Sequence, residues 1–293
     1  MSNDHIVTYR RREIYSNDLP LIKEIILVNF QRGRTAISKE LCLAWDWNQA
    51  NGRLKDYACR LLLLKLQMMG HVVLPISKYP GNNLQRRQKV KQTFIIDESP
   101  IMGLISEFKN IEVKRVTKTE WSLWNYLVDK YHYLGYKNIV GENLRYLCFI
   151  DGKIVACIGW GSAAMRSGPR EQFIGWDDEL KVNNLHYIVN NTRFLILPWV
   201  KIPHLASKLL ALNCKRLNND WKQFYNHSIY LAETFVDTSR FQGTCYKAAN
   251  WIHLGYTKGH EKKGNYYFKH GKVKALFVYP LHKKYKEFLL GIN

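Results

Sequence analysis

Carboxylates are scarce in this chain: 24 Asp and Glu stand against 44 Lys and Arg, giving a formal net charge of +20 over 293 residues. Solubility needs far less, so the missing acids point to a polyanionic partner, most directly nucleic acid. Long apolar runs are missing too. LRYLCFI and RFLILPWV are strand-length and Lys65 breaks LLLLKLQMM, so no segment is suited to spanning a bilayer. The start MSNDHIVTYRRRE has neither a signal-peptide core nor a basic amphipathic anchor, and a soluble, cytoplasmic chain without membrane attachment is expected. The six cysteines contain no CxxC pair and no Cys/His cluster at zinc spacing, which argues against structural zinc and for buried, reduced thiols. No Walker loop, GxGxxG after a strand, GxSxG or HExxH is present, which disfavours an ATPase, a dinucleotide enzyme and a zinc protease.

What is present divides the chain into two domains. Residues 1–75 read as three helices, DLPLIKEIILVNFQ, SKELCLAWDW and GRLKDYACRLLLLKLQMMG, followed by a short strand HVVLP. With an Asn51-Gly52 turn between the second and third, this resembles a winged helix-turn-helix module, in which Lys39, Arg53 and Arg60, together with Arg32, Arg34 and Lys55, can meet phosphates. A helical cap packed on the main domain is the alternative. Residues 76–95 are polar and basic and read as a linker whose Arg86 and Arg87 can track a backbone. Residues 96–293 alternate strand and helix signals, with a two-residue hairpin at Asp151-Gly152 and a closing hairpin in YYFKHGKVKALFVYP, so an α/β domain with a mixed sheet is expected.

The segment Ile229 to Thr257 concentrates the chemistry. Glu233 and Asp237 lie four apart on a strand and therefore face the same side, in an otherwise apolar setting. Such acids need water, a metal, a cation or a proton to compensate them. They are candidate ligands for Mg2+ or Mn2+ or a general base, or else part of a hydrogen-bonded network that fixes the fold. Gly243 then opens a helix carrying Tyr246, Asn250 and Trp251. Tyr246 is a candidate nucleophile, an acid, or a buried core phenol. His132 at the end of a helix can exchange protons near neutral pH or serve as a cap. Arg193, Asn184, Asn190 and Asn191 form a second polar group suited to phosphate, with the asparagines open to a turn-forming role. Trp176, with Trp160, Trp199 and Trp251, offers stacking faces for bases or plain core.

The order strand, proline, helix, strand and tyrosine-bearing helix, ending in Leu254-Gly255-Tyr256, resembles the GNAT acetyltransferase fold. That resemblance implies an acyl-CoA pyrophosphate on a glycine-rich helix N-terminus, but here the text is KIPHLAS and His204 holds the first glycine position, so acetyl-CoA is not expected. YHYLG, IGWDDELKVNNLHYIVNNTRFLILPWVKIPHLASKLL and ETFVDTSRFQGTCYKAANWIHLGYTKGH resemble the DruA family of the Druantia anti-phage system, which also includes transposase-like proteins of insertion elements. The resemblance implies a role on DNA, single- or double-stranded, in defence or transposition. Given such a role, Glu233, Asp237 and Tyr246 point to metal-dependent strand cleavage or transfer. A non-catalytic DNA sensor and an acyltransferase are the alternatives. A homo-oligomer and helicase-like defence proteins are the partners to expect besides DNA.

Overall fold

In the N-terminal part, apolar residues recur every three or four positions, and three helices form there, although the second starts at Arg34, four residues before the expected Ser38, and ends at Ala44. The computed structural model describes residues 4–10, 12–76, 92–263, 266–269 and 273–292. Contacts divide the chain into two units, 1–89 and 90–293. Arg86, Arg87 and the basic stretch 77–91 lie outside the described residues. In the first unit a hairpin, β1 (His5–Tyr9) and β2 (Arg12–Tyr15), precedes α1 (Leu19–Val28), α2 (Arg34–Ala44) and α3 (Asp56–Met68). Pro20 sits in the first turn of α1, where its missing N–H costs nothing. Ile22 and Ile26, Ile37 and Leu41, and Leu62, Leu63 and Leu66 close one core with Val7 and Ile14. The strand expected at 71–75 does not form. Val72 and Leu74 are buried, but the Leu74 amide is taken up by the Gln67 side chain (3.1 Å) rather than by a strand partner.

The second unit is built on a seven-stranded sheet. Its elements run β3 (Ile101–Met102), β4 (Ile111–Arg115), α4 (Trp121–Tyr131), β5 (Asn143–Ile150), β6 (Lys153–Ser162), α5 (Gly168–Ile174), α6 (Asp178–Asn184), β7 (Ile188–Ile196), β8 (Val200–Lys201), α7 (Leu205–Tyr225), β9 (Leu231–Asp237) and α8 (Thr244–Ala248). β10 (Ile252–Tyr256), β11 (His260–Lys263), β12 (Tyr266–Lys269), β13 (Lys274–Pro280) and α9 (Tyr285–Leu290) complete it. The strand order is β10-β13-β9-β7-β6-β5-β4. β4 to β7 form an antiparallel meander, β9 joins β7 in parallel after the α7 crossover, and β13 pairs antiparallel with both β9 and β10. This is the mixed α/β sheet that the sequence order implies.

Helices cover both faces. Trp124 of α4 lies against Gly159, while on the next residue of β6 the Trp160 indole donates to Asn213 of α7 (2.6 Å), and successive strand residues point oppositely. The expected turn at Asp151-Gly152 is present with φ of 46° and 82°. The expected closing hairpin is not: β12 pairs with β11, and β13 goes to the main sheet. Among the described residues no helix is long and apolar enough to cross a membrane.

Candidate functional site

β7 and β9 run side by side through Asn190 and Glu233 and then separate. One cause lies in β7, where Gly159 faces Arg193 and Trp160 faces Asn191, leaving Thr192 as an extra residue that bends the strand. The other lies after β9, where Gly243 takes φ 70° and starts α8, carrying Tyr246 beneath the opening. Tyr246 is buried and donates its hydroxyl to Asn191 Oδ1 (2.7 Å). Asn191 Nδ2 donates to the carbonyls of Gly159 (3.1 Å) and Arg193 (3.2 Å), which fixes the direction of the amide. Thr234 Oγ1 donates to the Asn191 carbonyl (3.2 Å).

Two cavities meet at this opening, of about 510 Å³ and about 980 Å³, and share Tyr133, Leu134, Asn191, Thr192, Arg193 and Phe235. The smaller is walled by aromatic rings, Tyr131, Phe194, Phe241 and Tyr246 among them. The larger carries Arg166, Lys258 and Lys274. Asp237 is the one carboxylate among the described residues that line either. Arg193 stands between them. Its Nε donates to the Gly135 carbonyl (3.1 Å) and its Nη1 to the Thr192 carbonyl (2.6 Å), so it clamps the loop after α4 while its charge borders the cleft.

Several candidates take other roles than the sequence implied. Glu233 is sealed from solvent: Arg170 Nη1 donates to its Oε2 at 2.9 Å, the Ala164 amide donates to its Oε1 at 2.8 Å, and both charged side chains are 0% exposed. Burial raises its pKa against the opposing pull of Arg170. It is a knot holding the 163–168 loop to β9, not a metal ligand or base. Asp237 shares its strand face but sits at the cleft rim, where Oδ1 accepts from the Ser239 amide (3.1 Å) and hydroxyl (2.6 Å). The described residues hold no group of three His, Cys, Asp or Glu placed for a metal. With Glu233 occupied by Arg170, these acids do not fit Mg2+ or Mn2+, and no step is assigned to either ion.

Tyr246 is placed as a hydrogen-bond donor. Burial pushes its pKa up, and its partners are an amide oxygen and a hydroxyl rather than a base, so nothing draws off its proton to make a nucleophile. His132 lines the smaller cavity with Nδ1 accepting from the Leu134 amide (3.2 Å). Burial, then the Arg193 charge, lower its pKa to about 4, so the ring is neutral at pH 7 instead of exchanging protons there. Trp176 packs in the core 5.9 Å from the Arg170 guanidinium, and Trp160, Trp199 and Trp251 are buried as well, so none of the four offers a face to a base. Asn184 lies away from the cleft and donates to the Leu289 carbonyl (2.9 Å) at the end of α9. Asn250 is a turn former with φ 61°.

In the first unit Lys39 and Arg53 are exposed, but Arg60 is held by Asp56 (3.3 Å) and Thr35 (3.1 Å). The sequence carries no separate signal for Tyr133, Phe241, Arg166, Arg170 and Lys258, whereas Lys274 falls in the lysine- and aromatic-rich segment 260–286 that suits a nucleic-acid channel. A partner such as Arg170 is foreshadowed only by Glu233, since an acid in an apolar strand demands a buried cation; the others are joined only by the fold. His204 heads α7 with φ 63°, its carbonyl accepting from Ser207 Oγ (2.9 Å) and the Lys208 amide (3.1 Å). A side chain on the backbone where a pyrophosphate would need glycine does not fit acyl-CoA, and no step is derived through it.

No curated protein matches the chain. Solved structures it is similar to include aminoglycoside acetyltransferase AAC(6')-Ib in complex with coenzyme A (11% identity, 61% of this chain and 98% of that one, TM-score 0.39). An N-acetyltransferase from Staphylococcus aureus Mu50 (12%, 59% and 99%, 0.35) and the ribosomal-protein-S18-alanine N-acetyltransferase from Escherichia coli (8%, 59% and 94%, 0.37) are others. Likeness at this level brings neither coenzyme A nor an acyl acceptor to this chain. The family model described as Druantia protein DruA matches residues 71–266, two thirds of the sequence and the whole cleft apart from Lys274, and the chain belongs to the DruA family.

Proposed function

We propose that this protein is a DNA-binding component of anti-phage defence whose α/β unit holds a DNA strand along the cleft between β7 and β9. One observation carries the reading: Arg166, Arg193, Lys258 and Lys274 line the cleft against a single carboxylate, Asp237, among the described lining residues. Neither Lys258 nor Lys274 is ion-paired within the described residues. Cations that outnumber the carboxylates beside a groove gain by releasing the ions condensed on a phosphate backbone. The net charge of +20 gives the same sign to the molecule as a whole, and the exposed Lys39 and Arg53 add basic positions on the helical unit. Membership of a Druantia family supports defence as the setting. The engaged carboxylates and the protonated Tyr246 favour binding over strand chemistry, as in a sensor or assembly factor.

The test is fluorescence anisotropy of labelled single- and double-stranded oligonucleotides with the full chain. Charge reversal at Arg166→Glu with Lys258→Glu should weaken binding at least about tenfold, two phosphate contacts being lost and repulsion added. Wild-type affinity in the doubly reversed variant, shown to be folded by circular dichroism, would place the DNA elsewhere.

A further inference from the structure

The two chambers differ in chemistry in the way the two parts of a nucleotide differ. The larger is basic and the smaller aromatic, and they lie side by side, sharing Tyr133, Thr192, Arg193 and Phe235 in their linings. Phe241 and Tyr133 at the mouth of the smaller chamber are 49% and 38% exposed, large apolar rings that a sealed pocket would have covered. Their centroids lie 5.4 Å apart, and the Arg240 guanidinium lies 4.8 Å over Tyr133. Phe194 and the buried Tyr246 form walls of the chamber, the half-buried His132 brings an imidazole, and the exposed Gln242 and Thr244 bring an amide and a hydroxyl to its lining. The imidazole, with Nδ1 accepting from Leu134, keeps its proton on Nε2 and is a donor.

Resting on the DNA-binding reading above, we infer that the aromatic chamber receives one unpaired nucleobase, while the phosphates beside it stay on Arg166, Arg193, Lys258 and Lys274. A base inside a duplex has both faces covered by its neighbours and its edge covered by its partner, so it cannot offer a face to Tyr133 or Phe241. A base in a single strand, or one displaced from a bulge, can. Stacking on such rings tolerates any base, because every base has a π face, and the polar groups of the lining can add contacts to its edge. The wall of rings thus converts a sequence-independent grip on phosphate into a preference for DNA that is open or distorted.

The test compares three labelled duplexes of one sequence on the full-length protein: fully matched, with a single bulged nucleotide, and with an abasic residue at that bulge. The bulged base should be bound roughly fivefold to a hundredfold more tightly than the abasic bulge, the worth of stacking one base. Tyr133→Ala and Phe241→Ala, at half-exposed positions where folding is least at risk, should each shrink that ratio, with circular dichroism confirming the fold. Equal affinity for the base-bearing and abasic bulges, or an unchanged ratio in both variants, overturns the inference while DNA binding stands. Failure to bind any of the three overturns both.

Discussion

A carboxylate in the middle of an apolar strand has to be neutralised, and for Glu233 the fold supplies Arg170 at 2.9 Å in a setting closed to water. Removing one partner leaves an uncompensated buried charge, whereas removing both leaves ordinary core. Arg170→Ala is therefore expected to destabilise the protein by about 3–5 kcal/mol, read as a lower urea midpoint, and Arg170→Met with Glu233→Leu to recover most of it. A single variant that unfolds at the wild-type midpoint would mean that the pair is hydrated. His132 gives a pH dependence whose sign follows from its lowered pKa. The fold holds the ring neutral down to about 4, while the unfolded chain takes a proton near 6.5. Its contribution to stability is complete above pH 6.5 and is lost as pH falls through 4. His132→Gln should flatten the fall in urea midpoint between those values. An identical slope in the variant would show that the ring is hydrated and charged in the fold.

At the scale of elements, the cleft exists because β7 and β9 part after three paired residues and α8 is turned in beneath them. Gly243 makes that turn. At φ 70°, a Cβ there would meet the Phe277 ring at 2.7 Å, so strain and overpacking act together. Gly243→Ala should cost about 1–3 kcal/mol and displace Tyr246, seen as a changed near-ultraviolet circular dichroism spectrum. Gly152, at φ 82° with nothing within 4 Å, is the control: Gly152→Asn suits the same left-handed geometry and should unfold within a few tenths of a kcal/mol of wild type. The long periodic helices and the Asp151-Gly152 hairpin were legible because their signals are local. α5 and α6 were not, each being seven residues of polar text, and the partners of β13 were misassigned because strand pairing is settled by distant neighbours.

Across the whole molecule, charge outweighs any single contact. A net charge of +20 predicts binding that weakens steeply with salt, whatever the sequence of the DNA. If the four cations that line the cleft each meet a phosphate, affinity for duplex should fall roughly a hundredfold between 50 and 200 mM salt, from a slope near 0.9 per contact. Lys274→Ala should lower that slope by about one, measured by anisotropy across a salt series. A slope unchanged by that substitution would remove Lys274 from the contact set, and a slope near zero would remove the electrostatic reading altogether.

Composition by itself determined the surplus of positive charge, and with it the polyanionic kind of partner proposed, because charge imbalance needs no fold to be expressed. The order of strand and helix signals determined the α/β sheet and its helical companion, since each depends on periods of two or about 3.6 residues along the chain. The same alternation put Glu233 and Asp237 on one face of β9. Only the tertiary structure decided that they serve differently, because burial and the arrival of Arg170 from sixty-three residues away depend on how α5 packs on the sheet. It also decided that Tyr133, Phe241 and the cations of the cleft belong together, for their distance in sequence is closed by the parting of two strands and by nothing local.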